Sequence, residues 1–198
     1  MIAIVDYGAG NIQSVKNALD YLGFKSQITD KAAVIRKSDK IIFPGVGSFG
    51  DVMASVDKKN LREVLIEAAA KKPFLGICIG MQVLFEKSEE SPGIKGLGIF
   101  KGSVKKFRTS LKVPQIGWND IAIQKESILL KDIPEKSFFY FVHSYHPVPK
   151  DKSIILTSTE YEEEFASGVE QGNIAAFQFH PERSGALGLR LLRNFVIS

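Results

Sequence analysis

The chain has 198 residues, enough for one domain with a full core and too few for two ordinary ones. Hydrophobic residues at 44% and charged residues at 24% give the balance of a folded globular protein and exclude a disordered one. No apolar run reaches the roughly 18 residues of a membrane span, the N-terminus lacks the basic region and cleavage site of a secretory leader, and one cysteine makes no internal disulfide. A cytoplasmic location is expected. The net charge of +4 is dispersed over short clusters such as Lys71-Lys72 and Lys105-Lys106, without the aromatic interleaving of a nucleic-acid surface. A phosphorylated substrate or an acidic partner face fits that excess equally well.

In chain order, "MIAIVD" reads as a buried strand, followed by a helix-like stretch that ends near Leu22 with Gly23 as its stop. "KIIF" is a second strand, broken by Pro44 and followed by the glycine-rich "GVGSFG". "NLREVLIEAAAKK" has apolar residues at helical spacing, "PFLGI" is a short apolar run, and "GMQVLFEKS" has helix-forming composition. Alternating strands and helices imply parallel pairing with right-handed crossovers. From about Gly96 the texture changes to β-rich segments: "SVKKF", "NDIAI", "SFFYFVHSY", "SIILTST" and "NIAAFQF". An apolar helix, "SGALGLRLLRNFVI", closes the chain. The expected fold is α/β: one domain over 1–198, a mixed and largely parallel central sheet layered between helices.

The lone cysteine sits in "PFLGICIGMQ", where Gly76 and Gly80 lie two residues before and two after Cys78. Strand, tight turn and helix around Gly-x-Cys-x-Gly is the pattern of a nucleophile elbow, with sulfur in place of the usual hydroxyl. The glycines leave room for the strained turn, and the following helix N-terminus favours negative charge on the sulfur. The N–H of Ile79 then faces a developing oxyanion. Taken alone, the stretch fits a buried structural cysteine equally well.

A thiolate nucleophile needs an acid–base partner, and the chain has three histidines, His143, His146 and His180. His180 ends a strand-like run and is followed by Pro181 and Glu182, a carboxylate suited to orient an imidazole. His146 precedes "PVPK", which reads as a loop leaving the site. The "FPGVGSFG" turn offers backbone N–H groups for a second oxyanion donor, and the glycines flanking Val46 let its peptide planes rotate at low steric cost. No Gly-Lys-Ser/Thr follows it, "GAGNIQ" lacks a third glycine, and no Cys/His cluster has metal-ligand spacing. No cofactor and no metal are expected. Acyl transfer through a thioester is the chemistry that remains.

"GICIGMQ", "FQFHPE" and "PGVGSFG", in their positions along the chain, resemble the class I glutamine amidotransferase family over essentially the whole sequence. The resemblance implies Cys78 as nucleophile, His180 as general base and acid, and Glu182 as its orienting partner. It implies that Gly45, Gln82 and the Ser144-Tyr145 backbone hold the substrate glutamine. Val46, Gly47 and Ile79 would form the oxyanion hole. "DYGAGN", "PQIGWN" and "YFVHSYH" are further similar to the glutaminase subunits of imidazole glycerol phosphate synthases. That implies ammonia passed to a separate (β/α)8-barrel cyclase subunit in a heterodimer, with Asn11, Gln115, Trp118 and Asn119 at the contact. A barrel of that kind needs about 250 further residues. A glutaminase serving chorismate chemistry and a stand-alone γ-glutamyl thiol hydrolase are the alternatives.

Overall fold

The apolar runs of the first half become strands buried on both faces. In the computed structural model, which describes residues 1–8 and 12–198, β1 (Ile2–Val5) is followed by α1 (Ile12–Tyr21), β2 (Ser26–Thr29) and α2 (Ala32–Lys37). Next come β3 (Lys40–Phe43), α3 (Phe49–Lys58), α4 (Arg62–Lys71) and β4 (Phe74–Ile77). β1 and β4 are buried at every position, as expected of parallel strands covered on both sides. The stop after α1 is the expected one: Gly23 adopts φ +80° and its N–H closes on the Asp20 carbonyl. The Ser48 hydroxyl caps α3 by accepting from the Asp51 N–H.

The second half comprises α5 (Ile79–Gln82), β5 (Phe85–Ser88), β6 (Phe100–Lys106), β7 (Gln115–Asp120), β8 (Ala122–Ile123), β9 (Phe138–His143) and β10 (Tyr145–Pro149). The chain then closes with β11 (Ile155–Tyr161), β12 (Glu163–Gln171), β13 (Ile174–Phe177) and α6 (Gly185–Ile197). The main sheet has the order β2-β1-β3-β4-β13-β12-β11-β8. Pairings are parallel from β2 through β13 and antiparallel from β13 to β8. Two smaller sheets, β10-β6-β5 and β7-β9, pack beside it. Residues of α2, α3 and α4, among them Ile35, Val52 and Leu65, fill the core on one face. Val15 and Leu19 of α1 and Leu191 and Leu192 of α6 fill it on the other.

Three expectations need correction. The helical composition of "GMQVLFEKS" yields only the one-turn α5, after which the chain turns into β5. Phe85 pairs there with Phe100, their rings 5.6 Å apart, so tertiary pairing overrides propensity. "NDIAI" is divided between β7, which pairs with β9, and β8, which joins β11, with buried Ile121 at the corner. The segment after His146 is not a loop, because β10 continues through Pro149 against β6. None of the described helices is long and apolar enough to cross a membrane.

What positions the site is the register of three adjacent parallel strands. Phe43 of β3 pairs with Gly76 of β4, and Ile77 of β4 pairs with Phe177 of β13. The Pro44–Gly47 turn, Cys78 and His180 therefore leave neighbouring strands at the same, carboxyl edge of the sheet. That is where open α/β sheets place ligands.

Candidate active site

Cys78 occupies the step between β4 and α5, with φ 54° and ψ −110°, a conformation costly for a residue with a side chain. Its N–H is tied to the Phe177 carbonyl at 2.8 Å, which fixes the elbow against β13. The flanking glycines are required by contact: a Cβ on Gly80 would lie 1.9 Å from the Phe43 carbonyl oxygen, and one on Gly76 would lie 2.8 Å from the Gly80 carbonyl oxygen. Cys78 is 6% exposed and lines a cavity from one side. The N–H groups of Ile79 and Gly80, at the start of α5, donate to no described residue. An N–H without a protein acceptor next to the sulfur is what an oxyanion donor requires.

His180 follows β13 and is 2% exposed. Its Nδ1 lies 2.8 Å from Glu182 Oε1, within the short 3-10 turn Pro181–Arg183, and both side chains are buried. Nδ1 is therefore the protonated nitrogen and Nε2 faces the reaction. Burial alone would push the imidazolium down. The charge of the Cys78 sulfur and contact with it, followed by Glu182, outweigh that and raise its pKa to about 10. Nε2 is the ring nitrogen left without a hydrogen bond to any described residue.

Val46, Gly47, Cys78, Ile79, Gln82, Glu90, Val142, His143, Ser144 and Tyr145 line one cavity of about 240 Å³. Most of the sequence-predicted substrate and oxyanion residues meet there. Gly45 does not line the cavity. It packs on Tyr7, whose hydroxyl a Cβ at that position would approach to 1.7 Å. Tyr7 in turn donates to the Val46 carbonyl at 3.1 Å, and burial pushes its phenol well above the ordinary range, so it stays a donor. The turn is therefore less free than its glycines suggest, because the Val46–Gly47 peptide is tied on its carbonyl side. The N–H groups of Gly45, Val46 and Gly47 donate to no described residue.

Glu90 was not legible in the sequence, where no spacing links it to the elbow. Its carboxylate accepts from the Phe49 N–H at 2.6 Å, at the start of α3, and forms one wall of the cavity. His143 sits deep in the site between Phe107 and Phe141. Nδ1 reaches the Tyr145 carbonyl at 2.9 Å and Nε2 lies 2.8 Å from the Gln115 side-chain amide. Burial lowers its pKa to about 3, so it is neutral. His146 is also buried, and its Nε2 lies 3.3 Å from Glu163, away from Cys78.

The residues expected at a partner face divide. Trp118 is 56% exposed on β7, beside Ile116 at 60% and Phe138 at 56%. Exposed apolar side chains grouped in this way are what a docking surface needs. Trp118 meets the Tyr140 ring edge-on, and the Arg183 guanidinium stacks 4.8 Å over that ring, so the face adjoins the His180 turn. Gln115 points inward to His143 and is 3% exposed, so it is a buried link and not a surface contact. Asn119 is half-buried and bonded to the Glu160 carbonyl. Asn11 lies outside the described residues. A larger cavity of about 720 Å³, lined by Lys105, Lys106, Arg108, Lys125 and Lys152 among others, contains none of the elbow or His180 residues. No cluster of metal-binding side chains occurs among the described residues.

Comparison with known proteins identifies the family. The family model "Glutamine amidotransferase class-I" matches residues 3–198, and the chain belongs to that family. Among curated relatives, the imidazole glycerol phosphate synthase subunit HisH of Pyrococcus furiosus is 54% identical over 197 residues, 98% of this chain and 97% of the relative. The subunit of the same name from Methanocaldococcus jannaschii is 48% identical, covering 99% and 98%. That of Aquifex aeolicus is 47% identical, covering 97% and 94%. Among solved structures, PurLQS from Thermotoga maritima superposes with a TM-score of 0.78 at 21% identity, covering 99% of this chain and 97% of that one, a likeness of fold.

Proposed function

We propose that this protein is the glutaminase subunit of imidazole glycerol phosphate synthase, acting in the cytoplasm. The observation that carries the reading is the buried Cys78–His180–Glu182 arrangement at the carboxyl edge of three parallel strands, in a chain whose curated relatives carry that subunit name. In the first half-reaction the Cys78 thiolate attacks the side-chain carbonyl of glutamine. The carbonyl oxygen becomes an oxyanion facing the Ile79 N–H and the Val46–Gly47 turn. His180, as imidazolium, gives its Nε2 proton to the departing amide nitrogen, which leaves as ammonia, and a thioester remains on sulfur. In the second half-reaction water attacks the thioester, His180 takes its proton, and glutamate and the thiolate–imidazolium pair are regenerated. Glu182 holds the ring and its charge throughout.

The ammonia would pass to a separate (β/α)8-barrel cyclase subunit, making imidazole glycerol phosphate and an aminoimidazole carboxamide ribonucleotide in histidine biosynthesis. The Ile116–Trp118–Phe138 face, next to the His180 turn, is the docking surface in this reading. The shared name of the curated relatives favours it over a glutaminase serving chorismate or a stand-alone hydrolase. The experiment is reconstitution with the cyclase subunit. Cys78→Ser should abolish glutamine-dependent synthesis yet leave synthesis from ammonium salts intact, and His180→Asn should cost roughly two to four orders of magnitude in glutaminase rate. Glutamine-dependent synthesis that survives Cys78→Ser at more than about a tenth of wild type would overturn the covalent mechanism.

A further inference from the structure

Behind the cavity, the side chain of Gln178 is completely buried two residues before His180, in a position the reaction described above does not use. Its backbone N–H is fixed on the Ser167 carbonyl at 2.8 Å, so the side chain projects from a rigid strand end. One amide atom lies 3.1 Å from the Gln82 amide and the other lies 3.6 Å from the Cys78 sulfur.

Which atom is which follows from a backbone carbonyl. The Gln82 amide approaches the Tyr145 carbonyl oxygen at 2.9 Å, and a carbonyl only accepts, so the Gln82 atom there is nitrogen. That nitrogen's second proton points to Gln178, whose near atom must then be oxygen. The atom left to face sulfur is the Gln178 amide nitrogen, a donor. Besides His180, the Val142 carbonyl lies 3.9 Å from the sulfur, and since it can only accept it suits the neutral thiol.

We infer that Gln178 is a further catalytic residue, whose amide N–H donates to the Cys78 sulfur and holds it as the thiolate, aligned for attack. Gln82 and the Tyr145 carbonyl keep that donor from reversing. A donor to an ionised group favours the charged form, and in a site closed to water the effect is larger than at a surface. The inference also divides the duties of Gln82. Its nitrogen is spent on the protein, so its oxygen is the atom left to meet glutamine's amino group.

The inference rests on Cys78 being the nucleophile, but its test does not require glutamine chemistry. Cys78 is the only cysteine, so iodoacetamide alkylation of the reconstituted complex, followed by mass spectrometry of this chain, reports that sulfur alone. Its rate against pH reads the thiolate. The groups facing the sulfur are His180 with Glu182 from the turn after β13, neutral His143 from β9, protonated Tyr7 after β1, and Glu90 on the cavity wall.

In Gln178→Met, which keeps the length of the side chain and loses the donor, the rising limb should move to higher pH by on the order of one unit. The glutaminase kcat should fall roughly tenfold or more, with KM for glutamine changing less than threefold. In Gln82→Met, which removes the partner that orients Gln178, the limb should move the same way by a smaller amount. An alkylation profile in Gln178→Met that overlays wild type would overturn the inference. If Gln178→Met does not fold, an unmoved profile in Gln82→Met overturns it instead. Failure of the proposed function would appear elsewhere, as glutamine-dependent synthesis persisting in Cys78→Ser.

Discussion

The Tyr7 hydroxyl donates to the Val46 carbonyl at 3.1 Å, joining the end of the first strand to the turn that follows the third. A peptide plane held by its oxygen presents its N–H on the opposite side. With the Val46 carbonyl drawn to Tyr7, the Gly47 N–H is directed away from it, and the carbonyl that would repel an oxyanion is kept from the cavity. The neighbouring Gly45–Val46 peptide has no such tie among the described residues.

Tyr7→Phe tests this tie, since it removes one oxygen and leaves the ring packed on Phe43. A neutral hydrogen bond is worth about 1 kcal/mol, so kcat for glutamine hydrolysis in the complex should fall roughly three- to tenfold. KM should hold within about twofold, because the turn acts on the transition state more than on bound glutamine. Equal steady-state constants in the variant and the parent would release Tyr7 from this role.

Gly80→Ala should be felt by the fold and the chemistry together. The added Cβ meets the Phe43 carbonyl at 1.9 Å, a backbone atom at the mouth of the Pro44–Gly47 turn that cannot swing aside like a side-chain end. A loss of about 3 kcal/mol or more is expected, lowering Tm by roughly 6 to 12 °C in a domain of this size. Calorimetry of the free chain measures it. A change below about 2 °C would mean that the elbow and the turn move apart easily.

Acid stability should carry the mark of His143. Its folded pKa near 3 lies below the ordinary 6.5, so between those values the unfolded chain binds more protons than the folded one. The contribution is complete above pH 6.5 and is lost as pH falls towards 3. Burial lowers His146 in the same direction. Urea unfolding between about pH 7.5 and about pH 4.5 should show stability falling with acid, and His143→Asn should flatten the slope. Parallel curves for the two proteins would rule out this group as the source.

The exposed face of β7 yields the fourth prediction. Ile116→Asp should weaken binding of the cyclase subunit at least tenfold, because it places a charge where apolar surface has to be covered. Trp118→Ala should leave Cys78 reactive to iodoacetamide but raise the glutamate formed per cyclised product above one, as ammonia escapes. A ratio that stays at one with unchanged partner affinity would remove Trp118 from the contact.

Much of the site was readable because its signals are local. Gly-x-Cys-x-Gly and His-Pro-Glu each lie within five residues, and the contacts of Gly76, Gly80 and Glu182 explain why those spacings are needed. What escaped is what the fold brings from far away. Glu90 reaches the site through the start of α3, and nothing near it in sequence points there. Tyr7 and Gln178 lie inside quoted motifs, but their contacts with the Val46 turn and the Cys78 sulfur depend on strands far apart in the chain. Gln115 went wrong for the same reason: in an exposed-looking "PQIGWN" its side chain turns inward to His143, on the opposite face of β7 from Ile116. In the fold, β2, α2, α3 and β12 are not signalled by the sequence; β12 runs through "EEFASGVEQ", where acidic residues and Gly168 hide the strand pattern. β2 and α2 are only four and six residues long, and α3 follows glycine-rich sequence that reads as a turn.

The pairing of β4 with β13 has a consequence for how activity arises as the protein folds. Gln178 and Cys78 are 100 residues apart in the chain, and they meet only when the last strand inserts beside β4. Contacts this remote carry a large loop-closure cost and form late. A chain still emerging from the ribosome has made its elbow cysteine long before the histidine that would arm it. If hydrolysis needs both groups, it cannot begin before His180 has been made and β13 has inserted beside β4. A truncated or partly unfolded chain lacking β13 would carry an inert thiol and would not drain glutamine.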